Sequence, residues 1–156
     1  MLAGFHWVSE YLHTPNPQQH SLARSLLRRG IVDAIVGHHA HVVQPIARIR
    51  GRFVVYGEGN LISAQDGHSK DGLMAVLHVR AQGARAEVIG VRYVPVWVEP
   101  PYYVVQPVAR RLRELRRRGL TQSALAEAFL ASYCRTVAYA GRGRFVRPEP
   151  LPLPFR

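Results

Sequence analysis

The segment IVDAIVGHHAHVVQPI, residues 31–46, decides the fold class. Its first half, IVDAIVG, is a short apolar run that predicts a buried strand. Just before it, HSLARSLLRRG (residues 20–30) carries apolar residues at helical spacing and ends on a glycine, which predicts an amphipathic helix. A helix followed by a buried strand is the repeating element of layered α/β folds. We therefore predict an α/β fold, layered in the α+β manner.

Three histidines, His38, His39 and His41, follow the predicted strand directly. If the segment is extended, His39 and His41 share one face and His38 points to the other. Gly37 would let the backbone turn sharply as it leaves the strand. Imidazoles at the carboxyl end of such a strand suit a divalent transition metal such as Mn, Fe or Zn. The plain alternative is a loop of surface histidines.

Two other segments offer side chains to the same edge. HWVSEY contributes His6 and Glu10, which gain weight only if they meet the later histidines in space. YGEGNLIS (residues 56–63) places Asn60 at another strand end, where it could orient an imidazole. No G-K-[ST] follows its glycines, which excludes a phosphate-binding loop of the nucleotide-binding type. The remaining histidines lack a ligand-like setting: His13, His20, His68 and His78.

The rest of the chain predicts two strand pairs, two helices and a proline-rich tail. PIARI pairs with FVVYGEGN across a short turn, and GLMAVLHVR pairs with AEVIGVRYVPVWV as a longer hairpin. Helices are expected over residues 106–118 and 121–139, with Thr121 as an N-cap. The tail is expected to be extended or disordered. A strand is expected before His6, but few residues are there to form it, and the start resembles a cut.

Composition limits the class of protein. The chain has 156 residues, 47% of them hydrophobic and 20% charged, which is typical of one globular domain and not of a disordered chain. A single cysteine, Cys134, excludes an internal disulfide. The net charge of +11 favours acidic partners.

The arginine-rich segment VARRLRELRRRG, residues 108–119, is the strongest concentration of positive charge. It offers Arg111, Arg113 and Arg117 as weak polyanion contacts. The ordinary interpretation is the solvated face of an amphipathic helix. A nucleic-acid helix is disfavoured because no recognition motif with interleaved polar readers accompanies the arginines.

Taken together, HWVSEY, the helix, GHHAHV and YGEGNL resemble the CapA family of bacterial capsule and poly-γ-glutamate synthesis proteins, a branch of the calcineurin-like metallophosphoesterases. The family pattern is H-W-G-x-E-Y, a Gln-led helix, G-H-H-P-H-V and Y-S-L-G-N-F, and the resemblance is dense over residues 5–64. Val8, Ala40 and Glu58 depart from that pattern. None of the three replaces a candidate ligand.

The resemblance implies a fold and a division of the chain. The fold would be the C-terminal part of a calcineurin-like αββα sandwich, over residues 1–103. A helical extension would follow over residues 104–141, with two C-terminal helices, and then a Pro/Arg-rich tail over residues 142–156. The motifs that precede H-W-G in the family lie upstream of Met1. We therefore expect the chain to be N-terminally truncated, from a gene fragment, a mis-called start or a split protein whose N-terminal half is on another chain.

The resemblance also assigns roles. His6, His39 and His41 would bind metal, His38 would be a catalytic neighbour, and Glu10 and Asn60 would support the site or contact substrate. The expected cofactor is Mn, Fe or Zn, as a dinuclear site in the full-length protein only. The family would be that of a metal-dependent, phosphoesterase-like hydrolase, and we expect this chain alone to be inactive.

The expected partners are an anionic polymer or a phosphoester substrate, and the expected role is capsule or poly-γ-glutamate biosynthesis. One alternative is a non-catalytic remnant that keeps the histidine edge. Another is a polyanion-binding or nucleic-acid-binding module that uses the arginine-rich helix. No membrane span is expected in this chain, although relatives are commonly exported or membrane-anchored.

Overall fold

The computed structural model describes residues 1–83 and 85–155. Within them, eight β-strands and three α-helices form a mixed α/β arrangement, which confirms the predicted fold class. In chain order these elements are β1 (Leu2–His6), α1 (Pro17–Arg28), β2 (Ala34–His38), β3 (Ile46–Ile49), β4 (Arg52–Val55), β5 (Asp71–Gln82), β6 (Arg85–Glu99), β7 (Val104–Pro107), α2 (Val108–Arg117), α3 (Ala124–Ala140) and β8 (Val146–Pro148). A short 3-10 helix, Gly67–Lys70, precedes β5.

The first sheet has the strand order β1-β2-β4-β3. Strands β1, β2 and β4 run parallel, and β3 pairs antiparallel with β4 across a tight turn. Helix α1 connects β1 to β2 and buries Ala23 and Leu27 against Ile35 and Val54 of the sheet. The helix starts at an Asn16 cap, as a polar side chain before an amphipathic segment favours.

The strand expected before His6 is present as β1, although only a few residues are available to form it. Leu2 to His6 pair in parallel register with Ala34 to His38. Parallel pairing draws on backbone groups alone, so a short segment can complete a sheet whose next strand is already buried. The pairing places His6 directly beside His38 at the carboxyl ends of both strands.

The second sheet is built on the long β5–β6 hairpin. β7 pairs antiparallel with β6 over Val96–Glu99, and β8 pairs parallel with the same strand over Val91–Tyr93. The proline-rich tail is thus partly ordered, with Val146–Pro148 extended along the sheet.

The two C-terminal helices form close to the predicted positions. α2 covers Val108–Arg117 and α3 covers Ala124–Ala140. Ser123, and not Thr121, is the N-cap of α3, because its side chain accepts from the Ala126 amide. Leu112 and Phe129 bring the two helices together over Trp97 of β6.

The two sheets pack against each other through one apolar cluster. Phe53 and Val55 of the first sheet contact Leu73 and Tyr93 of the second. An ion pair ties α3 to this core, since Arg135 donates two hydrogen bonds, of 2.7 and 2.9 Å, to the buried carboxylate of Asp71. Among the described residues, no helix is both long and apolar enough to cross a membrane.

Candidate metal centre

The candidate site lies where β1 and β2 end side by side. The loop after β2 carries His39 and His41, whose ring centroids are 5.7 Å apart. Neither residue is extended: φ is 82° at His39 and 55° at His41. The prediction that they share a side because the segment is extended therefore gave the right neighbours for the wrong reason. Left-handed backbone is unfavourable for residues with a Cβ atom, and at functional sites it is often held by the surrounding structure.

Glu10 completes the cluster. Its Oε1 atom lies 3.4 Å from His39 Nε2 and 3.8 Å from His41 Nε2. One ligand atom from each of the three side chains lies within 4.8 Å of the other two. The backbone holds this segment against the histidine loop, because the Tyr11 amide donates to the Ala40 carbonyl at 2.8 Å. All three side chains are partly open to solvent.

Hydrogen bonds of Asn60 determine which nitrogen of His41 carries the proton. The Asn60 amide nitrogen donates to the Ser69 carbonyl and to Gln65 Oε1, both at 2.9 Å, so Asn60 Oδ1 is left as the acceptor. His41 Nδ1 donates to that oxygen at 2.8 Å. In the neutral ring, the lone pair on His41 Nε2 then faces the Glu10 carboxylate. Two acceptors face each other, and only a proton or a cation between them makes the contact favourable.

The donor set suits a divalent transition ion. Two imidazole nitrogens and a carboxylate oxygen are ligands that Zn, Mn and Fe accept. Two ligand atoms of one tetrahedral zinc ion are separated by roughly 3.3 Å, close to the 3.4 and 3.8 Å between Glu10 and the two histidines. The His41 hydrogen bond to Asn60 is the outer contact that metal-binding histidines commonly make.

His6 and His38 lie near the cluster of Glu10, His39 and His41 but do not belong to it. The His6 ring lies against His39, with centroids 4.2 Å apart, but His6 is not among the three residues whose ligand atoms converge. His38 Nδ1 lies instead 3.6 Å from Glu58 Oε2, in a cavity of about 250 Å³ beside the cluster. Burial raises the pKa of the Glu58 carboxyl, against the lowering effects of a hydrogen bond from the Ala75 amide and of nearby His38.

Gly37 is needed for space and not for a turn. It lies inside β2, and a Cβ atom there would overlap the Trp7 indole and the Tyr56 carbonyl. Trp7 Nε1 donates to that carbonyl at 2.6 Å in the buried interior. The glycine therefore lets the indole cross β2 directly beneath the histidine loop.

Two buried glutamines hold the segment that carries Glu10 in place. Gln19, in the capping box of α1, donates from Nε2 to Gln44 Oε1 at 2.9 Å. Gln44 in turn donates to the Leu12 carbonyl at 2.7 Å and so holds the chain just after Glu10. Both glutamines are almost fully buried, and this network fixes the loop relative to α1 and β4.

Several features of the site have no clear signal in the sequence. Glu10 was expected only as a supporting residue, because nothing in its local pattern shows which imidazoles it meets. His13 was set aside, yet it bonds the Val43 carbonyl at 2.8 Å and stacks on Tyr139 with centroids 3.5 Å apart. Both contacts depend on long-range packing.

The arginines of α2 are mostly engaged within the chain. Arg111 is paired with Glu99 at 2.7 Å and Glu114 at 3.0 Å, which raises the pKa of its guanidinium. Arg113 lies 3.4 Å from Glu149. Of the three proposed polyanion contacts, Arg117 alone has no carboxylate partner within the described part of the chain.

The sequence that forms this site is similar to sequences of known proteins. Residues 1–65 match the family model described as bacterial capsule synthesis protein PGA_cap. Over 79 residues, half of this chain, it is 37% identical to the PGA biosynthesis protein CapA of Bacillus subtilis (strain 168) and 35% identical to the capsule biosynthesis protein CapA of Bacillus anthracis. The match covers 20% and 19% of those relatives, so the chain spans about a fifth of their length. The matched residues include the whole histidine cluster, and the resemblance to the CapA family is thereby confirmed for this part of the chain.

Proposed function

We propose that this chain is part of a CapA-type protein that acts in bacterial capsule or poly-γ-glutamate biosynthesis, and that Glu10, His39 and His41 bind a divalent transition metal. Support comes from the family match over residues 1–65, which contain all three side chains and Asn60. The names of the two relatives refer to capsule and PGA biosynthesis.

One observation carries the metal assignment. The Nε2 atoms of His39 and His41 face the same carboxylate oxygen of Glu10, and Asn60 keeps the proton of His41 on the other ring nitrogen. His41 Nε2 and the Glu10 carboxylate are facing acceptors, and a cation placed between them and His39 Nε2 would make all three atoms ligands.

Each residue of the proposed site would have a separate role. Glu10, His39 and His41 hold the ion, and Asn60 fixes the tautomer of His41. A bound divalent ion would supply Lewis-acid polarisation of a phosphoryl or carbonyl oxygen. The ligands contribute one negative charge, so the loaded site keeps a net positive charge and favours an anionic ligand. His38, half exposed and 3.6 Å from Glu58, is the nearest candidate to give or take a proton.

Two roles fit this site. The first is hydrolysis of a phosphoester or an amide-linked polymer, as the resemblance to calcineurin-like metallophosphoesterases implies. The second is handling of an anionic polymer without chemistry. Turnover of an aryl phosphate with added Mn²⁺ that is lost in a Glu10→Gln variant supports the first role. Because this chain alone is expected to be inactive, support for the second role comes from metal-dependent binding of an anionic polymer without turnover.

Metal affinity tests the site itself. Zn²⁺ and Mn²⁺ titrations would compare the wild-type chain with Glu10→Gln, which keeps the shape and removes the charge, and with His6→Ala. We expect Glu10→Gln to weaken binding by tenfold or more, on the order of the loss seen when metal-site residues are altered, and His6→Ala to have the smaller effect. Glu127→Gln, an exposed change on α3, is the matched control. Unchanged affinity in Glu10→Gln would refute the assignment.

A further inference from the structure

A second concave site lies at the opposite end of the first sheet from the histidine cluster. It is a cleft of about 920 Å³ between the β3–β4 turn and the distal end of the β5–β6 hairpin. Its walls include Asp33, just before β2, and Arg52, at the start of β4, whereas the histidines follow the carboxyl ends of β1 and β2. Since β1 and β2 each span five residues, roughly 15 Å of strand separates the two sites.

The cleft carries an excess of positive charge. Arg52 lies 3.8 Å from Asp33, and Arg80 is paired with Glu87 across the hairpin. The other three guanidinium groups have no carboxylate partner among residues 1–83 and 85–155. The five arginines that line the cleft are Arg48, Arg50, Arg52, Arg80 and Arg85.

Arg48 is held in place at the wall of the cleft. Its guanidinium stacks over the Phe145 ring at 4.2 Å and its Nε donates to the Gly51 carbonyl at 3.2 Å. Stacking occupies the face of the group, and with Nε bonded to Gly51 the in-plane donors of the two terminal nitrogens are left for a carboxylate. Little side-chain entropy remains to be lost when an anion binds.

Arg50 has a left-handed backbone conformation, which is unfavourable for a residue with a long side chain. It is the first central residue of the two-residue turn between Ile49 and Arg52, with φ of 50°, and Gly51 follows with φ of 87°. Turns with two positive φ values prefer Asn-Gly or Gly-Gly, because a large side chain is unfavourable in left-handed backbone. An arginine here is better explained by the charge that it brings to the cleft.

The walls also indicate what kind of anion fits. Phe145 has Arg48 at 4.2 Å and Arg144 at 5.1 Å from its ring, so it is engaged by guanidinium groups and does not offer the stacking surface that single-stranded nucleic acid uses. Ile89, which is exposed, places an apolar side chain among the charged groups, whereas Val88 is buried in the core between the sheets. This mixture of positively charged and apolar side chains suits a polymer whose carboxylates are separated by hydrocarbon spacers. Inorganic polyphosphate has no such spacers and fits the cleft less well.

We propose that this cleft binds a short segment of a linear polycarboxylate. The inference uses none of the residues of the metal centre. It therefore extends the proposed function with a separate polymer-binding site, which holds a chain roughly 15 Å away from the histidine cluster.

A charge-matched pair of variants tests the proposal. Binding of a fluorescently labelled oligoglutamate would be measured by anisotropy, in EDTA so that the metal site does not contribute. The cleft variant is Arg50→Asn with Arg85→Gln, which leaves the Arg52 and Arg80 ion pairs in place and suits the turn. The control is Arg110→Gln with Arg118→Gln, which removes the same charge from exposed positions on α2 and just after it.

We expect the cleft variant to bind about tenfold more weakly or worse, because two charge-assisted contacts are lost, and the control to stay within about twofold of wild type. An equal loss in both variants would mean non-specific attraction to a basic protein and would overturn the proposal. So would displacement of the probe by tripolyphosphate or a single-stranded oligonucleotide at lower concentration than by unlabelled oligoglutamate. Binding that survives in the cleft variant but disappears in His39→Ala with His41→Ala would place the polymer at the other site.

Discussion

Replacing Asn60 by alanine separates a structured metal site from a chance cluster of histidines. The substitution removes the acceptor that lies 2.8 Å from His41 Nδ1. The His41 ring can then rotate, or carry its proton on Nε2, where it cannot bind a metal. Loss of such an outer contact lowers metal affinity by roughly 10- to 100-fold, which corresponds to about 1.4–2.7 kcal/mol. We expect a loss in this range, smaller than that from His41→Ala.

The assay is competition for Zn²⁺ with a chromophoric chelator. Asn60 is 9% exposed and its amide also donates to Ser69, so part of its effect falls on folding. Gln65→Ala is the control, because it removes another partner of the Asn60 amide without touching His41. Affinity in Asn60→Ala within twofold of wild type, in protein shown to be folded by circular dichroism, would refute the reasoning. An equal loss in Gln65→Ala would do the same.

Three further predictions concern stability, each followed by urea denaturation. Gly37→Ala forces a methyl group onto the Trp7 indole and should cost about 3 kcal/mol, through overpacking and a strained buried hydrogen bond; a loss under about 1 kcal/mol would contradict this close approach. Arg135→Met leaves the Asp71 carboxylate buried without its partner and should lower the free energy of unfolding by about 3 kcal/mol. Asp71→Asn should cost less, because the Arg135 side chain that loses its partner is 30% exposed and can turn to water. Glu58 has a raised pKa, so the folded state binds its proton more tightly and loses stability as pH rises from the ordinary carboxyl range through that raised value. Glu58→Gln should therefore be more stable than wild type at pH 7 and lose this advantage in acid; lower stability at pH 7 would contradict the sign.

Local patterns predicted most of the fold. The β2 strand, the α1 helix and the two C-terminal helices each have a periodicity or a cap that is visible in a few consecutive residues. A strand before His6 was expected from its position, but nothing in Leu2–His6 itself indicates one, because its pairing depends on a neighbour some thirty residues away. β8 likewise gains its order only from β6.

The sequence predicted where the candidate site lies but not all of the residues that form it. GHHAH after a buried strand identified the edge of the sheet, and His39 and His41 do lie together there. Which carboxylate meets them depends on the loop after β1, whose course is fixed by the contact of Tyr11 with Ala40 and by buried Gln44. The arginine cleft was not predicted at all, because its residues come from two different sheets.

The most direct test of the metal centre is an anomalous difference map from crystals grown with Mn²⁺ or Zn²⁺. Our account predicts one peak within bonding distance, about 2.0–2.2 Å, of Nε2 of His39, Nε2 of His41 and a carboxylate oxygen of Glu10, and no such peak in crystals of the His39→Ala, His41→Ala variant. A peak between His6 and His38 that leaves Glu10 uncoordinated would contradict it, as would wild-type crystals with no peak at the histidine cluster.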